Sequence, residues 1–391
     1  MSNSFKTFLK HTAKDFHNQS VNPPVVRAST IIFKSMKDIR KTQAKAIKNP
    51  TGGHYDYGRQ GTSTTYILQK ILTKLEESYH VFTTPTGFGA VFLAIFSVTR
   101  PGDEIIVADP VYSPTRILTE NFLKEFNIKT TFYDPHDLKT LEKSITKKTK
   151  LIFVENPGSN SFDFQDLGKI VSIAKKHKIL TVMDNTWGTP YFLKPIKLGF
   201  DMAIVSATKY YSGHSDVMGG SLAVNKKVFP KVKAAERITG LRLGPDDAYL
   251  ITRGLRTLDV RLDRHRENAK KVAEFLSKNK KFKLLYPYKK DSYNFRMWKK
   301  YYSGASGLMG VQIKSKNVNS IRKFVNSLKL FGYGYSWGGF ESLALHQEFR
   351  ETGKRKYLKL KKDEHLVRFH IGLEDPSDLI ADIKQALKHL K

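Results

Sequence analysis

Short apolar runs alternate with helix-compatible segments between about residue 80 and residue 225, and this alternation restricts the possible folds more than any other feature of the chain. Four of the runs are rich in β-branched and apolar residues and stop at a polar side chain; they span residues 103–109, 150–155, 179–184 and 201–206. Residues 166–177 instead space their apolar side chains at the period of a helix. The alternation predicts an α/β fold with a mostly parallel central sheet.

Each of these four runs ends in a side chain that can bind or react, namely Asp109, Glu155, Asp184 and Ser206. In open parallel sheets, ligands bind beyond the carboxyl ends of the strands. We therefore expect these side chains to meet along one edge of the sheet and to mark the functional site.

The chain divides into three predicted regions. Residues 1–55 are irregular, with a proline pair and a turn-prone stretch at 49–53, and they form a predicted N-terminal arm that contacts a neighbouring subunit. Residues 56–245 contain the alternating runs and form the predicted ligand-binding domain. Residues 246–391 begin with a helix-like stretch up to 278 and end in an amphipathic helix, which predicts a smaller C-terminal α+β domain.

Composition excludes several classes of site. Cysteine is absent from the 391 residues, which excludes disulfides, thiolate metal sites and a cysteine nucleophile, and fits a reducing compartment. The N-terminus lacks the apolar core of a signal peptide, and the longest apolar runs, such as residues 90–96, are too short to cross a bilayer. We expect a soluble, cytoplasmic protein with no membrane partner and no metal.

The formal net charge of +31 raises nucleic acid as an alternative partner, and basic clusters occur at residues 354–356 and 359–362. Lysines are nevertheless spread along the whole chain, and the sequence contains no recognised nucleic-acid module. We therefore expect no specific nucleic-acid partner, although a protein this basic retains DNA non-specifically at low salt.

An amine and a carboxylate follow two of the predicted strands. Lys209 comes just after the run at 201–206, among the hydroxyls of Ser206, Thr208 and Ser212, and Asp184 ends the run before it. A lysine held beside a buried strand suits imine chemistry, and a carboxylate suits a protonated ring nitrogen. The pair predicts pyridoxal 5′-phosphate, with Lys209 as the Schiff-base residue and Asp184 as the partner of the pyridinium nitrogen.

A phosphate cradle is predicted where a glycine-containing turn enters a helix, at residues 84–90. Free backbone N–H groups and the positive end of a helix favour a phosphate, which places Gly87 and Phe88 at the cofactor. The hydroxyls of Ser206 and Thr208 complete this cradle.

Each of these residues also has an ordinary structural explanation. A lysine after a strand is most often a solvated strand end, and a strand-terminal aspartate is most often a helix cap or turn former. What favours the cofactor is the joint order along the chain: the glycine turn, then Tyr112, then Asp184, then Lys209, all at the ends of successive strands.

Over nearly its whole length the chain resembles the fold-type I pyridoxal phosphate enzymes of cysteine and methionine metabolism, the trans-sulfuration group. The motifs that carry the resemblance are distributed from the arm to the C-terminal region, at residues 55–59, 86–87, 109–115, 155–159, 184–187, 207–216, 253–258, 335–342 and 367–375.

The resemblance implies roles for residues that local sequence leaves undecided. It implies that Tyr57 and Arg59 reach the cofactor phosphate of a neighbouring subunit, with Tyr57 also near the substrate, in a homotetramer built as a dimer of dimers. It further implies that Tyr112 stacks on the cofactor ring and handles protons near the substrate amine. Local sequence alone favours the alternative that Tyr112 is an aromatic residue of a proline-flanked turn.

The substrate side of the site is predicted in the C-terminal domain. Arg368 lies among apolar residues, where its guanidinium needs an anion, and the resemblance implies a clamp on the substrate α-carboxylate assisted by Ser336. A structural salt bridge is the alternative for Arg368. Tyr335 and Trp337 are predicted to wall the substrate pocket. Asn156, which stands where close β-lyase relatives often carry serine, is also predicted to contact the substrate.

The reaction implied by the resemblance is β-elimination, because a tryptophan at position 337 is similar to the β-acting branch and narrows the pocket. L-Cystathionine would yield homocysteine, pyruvate and ammonia, as in methionine biosynthesis. The alternatives on the same site are γ-synthase or γ-lyase chemistry, cysteine desulfhydrase activity and racemisation of alanine. A core tryptophan before a Gly-Gly turn is the structural alternative for Trp337.

Overall fold

The structure is a computed structural model that describes residues 4–12, 19–287, 290, 292–347, 355–357 and 360–390. The strands are β1 (His80–Thr84), β2 (Glu104–Ala108), β3 (Lys129–Tyr133), β4 (Thr149–Glu155), β5 (Leu180–Asp184), β6 (Met202–Val205), β7 (Gly220–Val224), β8 (Phe282–Leu285), β9 (Leu308–Lys314), β10 (Leu343–Gln347) and β11 (Glu364–His370).

The helices are α1 (Phe5–Lys10), α2 (Met36–Lys48), α3 (Ser63–Leu75), α4 (Gly87–Val98), α5 (Ser113–Ile117), α6 (Leu123–Glu125), α7 (Leu138–Lys143), α8 (Leu167–Lys176), α9 (Thr189–Phe192), α10 (Pro195–Leu198), α11 (Phe229–Thr239), α12 (Pro245–Leu255), α13 (Leu258–Ser277), α14 (Tyr293–Tyr301), α15 (Val318–Asn326) and α16 (Pro376–Ala386). A π-helical turn lies at Leu118–Phe122, and 3₁₀ turns lie at Gly58–Gln60 and Leu387–His389.

The described strands form a seven-stranded sheet in the order β1-β7-β6-β5-β4-β2-β3 and a four-stranded sheet in the order β10-β11-β9-β8. In the large sheet β2 to β6 pair in parallel, whereas β7 pairs antiparallel with both β1 and β6. The prediction of an α/β fold with a mostly parallel central sheet is confirmed. The small sheet is antiparallel throughout.

The large sheet is buried on both faces. Successive residues of a strand point to opposite faces, and helices pack against the apolar side chains of each face. Ile105 and Phe153 pack with α4 and α11 on one face. Ile106 and Val154 pack with α3 and α8 on the other. Continuous apolar strands therefore hold the carboxyl edge rigidly, and the polar residues that follow each strand collect there.

The C-terminal region packs α13, α15 and α16 against the small sheet around a separate core. The helix predicted up to residue 278 is divided into α12 and α13, which are separated by Arg256 and Thr257. The division into 1–55, 56–245 and 246–391 stays a prediction. Along the chain, the large sheet ends with β7 and the small sheet begins with β8.

The arm contains more helix than the sequence suggested. α2 begins after the N-cap Ser35, whose hydroxyl accepts a hydrogen bond from the Asp38 N–H, and it buries none of its residues. Lysine, glutamine and alanine are good helix formers, so propensity favours this helix although no part of the described chain buries its residues.

No helix within the described ranges combines the length and the apolar character needed to cross a bilayer. Of the two basic clusters, residues 354 and 359 lie outside the described part of the chain.

Candidate active site

The carboxyl edge of β4, β5 and β6 carries the residues predicted to bind the cofactor. Asp184 ends β5 and is partly accessible from the cleft. Its Oδ1 accepts hydrogen bonds from the Thr186 backbone N–H at 2.9 Å and from the Thr186 hydroxyl at 2.6 Å. Burial raises the pKa of the Asp184 carboxyl, whereas the Thr186 donors and the charge of Lys209 act in the opposite direction.

Lys209 lies in the turn after β6, where its backbone N–H bonds the Ser206 carbonyl. Its Nζ donates to Ser336 Oγ at 2.5 Å and lies 5.6 Å from the centre of the Trp337 ring. Burial, followed by the positive charge of Arg368, lowers the pKa of Lys209 to about 8, against the opposing effect of Asp184. A lysine in this environment loses its proton more readily than a solvated lysine.

The predicted phosphate cradle is present at the start of α4. Thr86 caps the helix by accepting a hydrogen bond from the Gly89 N–H at 2.9 Å. A Cβ atom at Gly87 would lie 2.4 Å from Ser206 Oγ, so glycine is required for the turn to approach the end of β6. Phe88 is 39% exposed beside this turn.

The hydroxyl of Thr208 faces the residue before β7, and its Oγ1 accepts a hydrogen bond from the Gly219 N–H at 3.0 Å. An amine, a carboxylate and a hydroxyl-lined helix N-terminus therefore lie along one edge. This donor set fits pyridoxal phosphate.

The loop at residues 335–339 covers Lys209 from the C-terminal region. Ser336 adopts a φ of 78° and Gly338 a φ of 94°. A Cβ atom at Gly338 would lie 2.9 Å from the backbone of Lys209, so the two segments are in tight contact. The Gly338 N–H bonds His370 Nε2 at 3.1 Å, which fixes the loop to β11.

Arg368 projects from β11 towards the same loop. Its Nη2 donates to the carbonyls of Ser336 at 3.0 Å and Gly334 at 3.3 Å. Burial lowers the pKa of Arg368, and among the described residues no carboxylate forms an ion pair with it. A partly buried guanidinium without an acidic partner is suited to an incoming anion.

Two aromatic residues flank this part of the cleft. The Trp337 ring packs 5.4 Å from the buried Tyr210 ring, and Tyr335 is 86% exposed at the rim. Tyr112 lies between β2 and α5 and is 48% exposed, and its backbone N–H donates to Glu155 Oε2 at 2.6 Å.

Asn156 is placed differently from the other predicted residues. Its Oδ1 accepts from the Gln165 N–H at 2.7 Å, and its Nδ2 donates to the Tyr302 hydroxyl at 2.9 Å. The side chain is almost completely buried, so its amide is engaged by the scaffold. Its predicted contact with substrate stays a prediction.

Tyr57 and Arg59 are not brought to Lys209 of their own chain. Within the described residues, Arg59 donates to the Arg237 carbonyl at 2.9 Å and lies 6.0 Å from the Tyr57 ring. Arg59 also lines a cavity of about 460 Å³ between the arm and α11. The predicted contact with a neighbour's cofactor stays a prediction, and a single chain leaves both residues available for it.

Sequence analysis marked Glu155 as a strand end but gave it no role in the site, and it missed Thr186 and His370. Their positions at or just beyond a strand end were the available signal. The partners of Glu155 and His370, namely Tyr112 and Gly338, are more than 30 residues away in the chain, so only the folded structure connects them.

Comparison with known proteins agrees with this geometry. Residues 6–388 match the family described as Cys/Met metabolism PLP-dependent enzyme. A cystathionine beta-lyase of Bordetella avium is 36% identical, with 94% of this chain and 92% of that protein covered. An L-alanine/L-glutamate racemase of Wolbachia pipientis wMel is 35% identical, with 95% and 93% covered.

Among solved structures, a cystathionine gamma synthase from Xanthomonas oryzae pv. oryzae, in complex with aminoacrylate and cysteine, superposes with a TM-score of 0.90. It is 28% identical, and the superposition covers all of this chain and 99% of that one. The predicted fold, the pyridoxal phosphate cofactor and the membership of a carbon–sulfur lyase group are confirmed at the level of the family.

Proposed function

Because the chain belongs to the family of pyridoxal-phosphate-dependent enzymes of cysteine and methionine metabolism, we propose that it is a β-lyase acting on L-cystathionine. Cleavage of the Cβ–S bond, with addition of water, gives homocysteine, pyruvate and ammonia. The observation that carries the proposal is the position of Trp337, whose ring centre lies 5.6 Å from Lys209 Nζ. The name of the Bordetella avium relative agrees with this assignment.

Trp337 supports β-chemistry because it reduces the space beside the reacting amine. Its ring is held against Tyr210, and the following Gly338 contacts the Lys209 backbone, so the indole has little freedom to move away. A narrow pocket favours a substrate whose sulfur is carried on the β-carbon and disfavours the additional bending that attack at the γ-carbon requires.

Arg368 and Ser336 hold the substrate α-carboxylate in this proposal. After it bonds two loop carbonyls, the Arg368 guanidinium still has unused N–H donors, and the substrate carboxylate would accept hydrogen bonds from them and balance the positive charge. This contact sets the α-carbon close to Lys209 Nζ, since Ser336 Oγ bonds that nitrogen at 2.5 Å.

The cofactor would be attached to Lys209 and held by Asp184 at its ring nitrogen, by Tyr112 on its face, and by Gly87, Phe88, Ser206 and Thr208 at its phosphate. When bound, pyridoxal phosphate supplies an electron sink that stabilises negative charge on the substrate α-carbon. The two Thr186 donors and the charge of Lys209 favour the anionic form of the Asp184 carboxyl group, against the effect of burial on its pKa.

Lys209 acts as the proton carrier once substrate has displaced it. Its Nζ accepts the α-proton as a neutral amine and then delivers a proton to the departing sulfur. A pKa of about 8 suits both tasks near neutral pH, because the amine is neither fully protonated nor a poor acid. The exposed phenol of Tyr112 is placed to handle the proton of the substrate amine.

Tyr57 and Arg59 complete the cofactor phosphate site of a second subunit in this proposal, within a homotetramer formed as a dimer of dimers. Both residues are exposed and follow directly after the arm, which is compatible with such an exchange. We further propose that the enzyme operates in the cytoplasm in methionine biosynthesis.

Product analysis tests the proposal directly. Purified enzyme supplied with L-cystathionine should release pyruvate, a three-carbon 2-keto acid. A four-carbon keto acid should appear only when the side chain at position 337 is made smaller, as in Trp337→Ser. Phe340→Ser, at an exposed position in the same segment, serves as the matched control. A four-carbon keto acid from the unmodified enzyme would contradict β-elimination and favour γ-chemistry.

Racemisation of alanine is a second candidate, favoured by the Wolbachia pipientis relative that is named a racemase. Lys209 and Tyr112 provide two groups able to exchange protons in one cleft. Incubation with L-alanine in deuterated water, followed by chiral separation, should give D-alanine labelled at the α-carbon if this activity is present. Unlabelled L-alanine alone would exclude it.

A further inference from the structure

Two carboxylates lie side by side at the carboxyl edge of the large sheet, and the proposed function uses only one of them. β4 and β5 pair in parallel with Glu155 directly opposite Asp184. Both side chains are recessed and partly accessible from the cleft. Two carboxylates held this closely do not both ionise readily, since each negative charge disfavours the other.

The surroundings of the pair favour the negative charge on Asp184. Asp184 has the two donors of Thr186 and the positive charge of Lys209. Glu155 faces the negative charge of Asp184 from β5, and the Tyr112 N–H, the charge of Arg355 from the C-terminal region and the Ser159 side chain act in the opposite direction on its pKa. Within the described residues Glu155 forms no ion pair closer than 4 Å, and burial together with Asp184 holds its pKa well above the usual range.

Glu155 is nevertheless firmly bonded to the loop that carries Tyr112. Its Oε2 accepts the Tyr112 backbone N–H at 2.6 Å. The Ser159 N–H bonds the Pro110 carbonyl at 2.6 Å, so a second contact ties the segment after β4 to the same loop. On its other side, the Glu155 carbonyl accepts the Gln165 side-chain amide at 3.0 Å.

We propose that Glu155 is a positioning residue that works as a neutral carboxylic acid, fixing the Tyr112 backbone at the cofactor while Asp184 carries the negative charge of the pair. One oxygen accepts the Tyr112 N–H, a contact that the carbonyl oxygen of an uncharged carboxyl group can also make, and the register of β4 and β5 sets this carboxyl group beside Asp184. The inference rests on the proposed placement of Tyr112 and Asp184 at the cofactor.

Two substitutions of Glu155 distinguish the effect of side-chain length from the effect of side-chain charge. Glu155→Gln keeps the length and the acceptor oxygen but cannot ionise, whereas Glu155→Asp can ionise but is one methylene too short to hold Tyr112. Glu125→Gln, at an exposed site on α6, is the matched control for loss of a carboxylate. All three are prepared as holoenzymes, and a pyridoxal phosphate titration and the visible absorbance band are measured across pH.

The expected result is that Glu155→Gln binds the cofactor within about twofold of the unmodified enzyme and keeps the pH midpoint of its visible band. Glu155→Asp should bind the cofactor about tenfold more weakly, as expected when a recessed donor loses its acceptor. Infrared difference spectra between the unmodified enzyme and Glu155→Gln should contain the carbonyl stretch of a protonated carboxyl group.

Three results would overturn the proposal. The midpoint of the visible band would fall by about one pH unit in Glu155→Gln if an ionised carboxylate had been removed from beside the cofactor. Unchanged cofactor binding in Glu155→Asp would remove the positioning role, and absence of the protonated carboxyl stretch would remove the neutral form.

These measurements require no substrate, so their outcome is independent of the β-lyase assignment. Normal cofactor behaviour in Glu155→Gln, combined with no pyruvate from L-cystathionine in the unmodified enzyme, would contradict the proposed substrate and leave the role of Glu155 in place.

Discussion

The carboxyl edge of the large sheet and the N-terminal arm contribute to the proposed site in opposite ways. At the sheet edge, Asp184 and Lys209 are recessed and already hydrogen-bonded within one chain. On the arm, α2 buries no residue, and Tyr57, directly after the arm, is 46% exposed. We infer that the reacting groups are organised by a single chain, whereas the arm acquires its role against a second copy.

The largest expected effect is at the sheet edge. Lys209→Ala should lower turnover of L-cystathionine by about 10³-fold, because the variant lacks the group that carries the α-proton. It should also lose the visible absorbance of covalently attached cofactor. Lys226→Ala, at an exposed position after β7, is the control and should retain both. Retention of turnover in Lys209→Ala would show that the reacting amine lies elsewhere.

Buried groups around the site should also make stability depend on pH. Burial lowers the pKa of His265, which lies beneath Tyr210, to about 4. The unfolded chain therefore binds a proton between pH 6.5 and pH 4 that the folded chain does not, and stability falls as pH decreases through this window. The loss should reach about 3 kcal/mol.

Urea unfolding of the unmodified enzyme and of His265→Gln at pH 7, 5.5 and 4.5 checks this expectation. The variant should have a flatter pH profile over this range. Parallel profiles would indicate that other groups govern the acid sensitivity.

Substitution of Arg368 should have the next largest effect. Arg368→Ala is expected to lower kcat/KM by about hundredfold, mainly through KM, because the substrate carboxylate loses a recessed charged partner. Arg368→Lys should recover only part of this loss, since an ammonium lacks the two-pronged geometry of a guanidinium. Steady-state kinetics beside Arg322→Ala, an exposed control on α15, measure the effect. An unchanged KM in Arg368→Ala would assign the carboxylate to another residue.

The smallest expected effect lies on the arm and tests the contrast most sharply. Arg59→Ala should weaken cofactor binding by about tenfold through loss of a charged contact to phosphate. Mixing Arg59→Ala subunits with inactive Lys209→Ala subunits should restore turnover, because one site of each mixed dimer then combines an intact lysine with an intact partner arm. No recovery on mixing would place Arg59 at its own chain's site or outside any site.

The central sheet could be predicted because its strands are buried on both faces. The four apolar runs correspond to β2, β4, β5 and β6 within one residue at each end. β1 and β7 were not predicted; β1 is rich in threonine, and β7 reverses direction to pair with β1 and β6, which no local pattern reveals. α2 was also missed, and it is a helix that buries none of its residues.

The order of the site residues along the chain could be predicted from the sequence. Most of the hydrogen bonds between these residues could not. Lys209 and Asp184 follow successive strands, so topology alone brings them together. The engagement of Asn156 by Tyr302, and that of Tyr112 by Glu155, join residues 146 and 43 positions apart. Such contacts depend on how the C-terminal region and the loops pack, which a single sequence does not specify.

The most direct test of the central claim is a combined measurement on purified enzyme with L-cystathionine, in which the visible absorbance of the cofactor, free thiol and keto acid are followed together. We predict a change in the absorbance band and equal amounts of homocysteine and pyruvate. Release of cysteine with a four-carbon keto acid, or no product while the band responds to other amino acids, would contradict the β-lyase assignment.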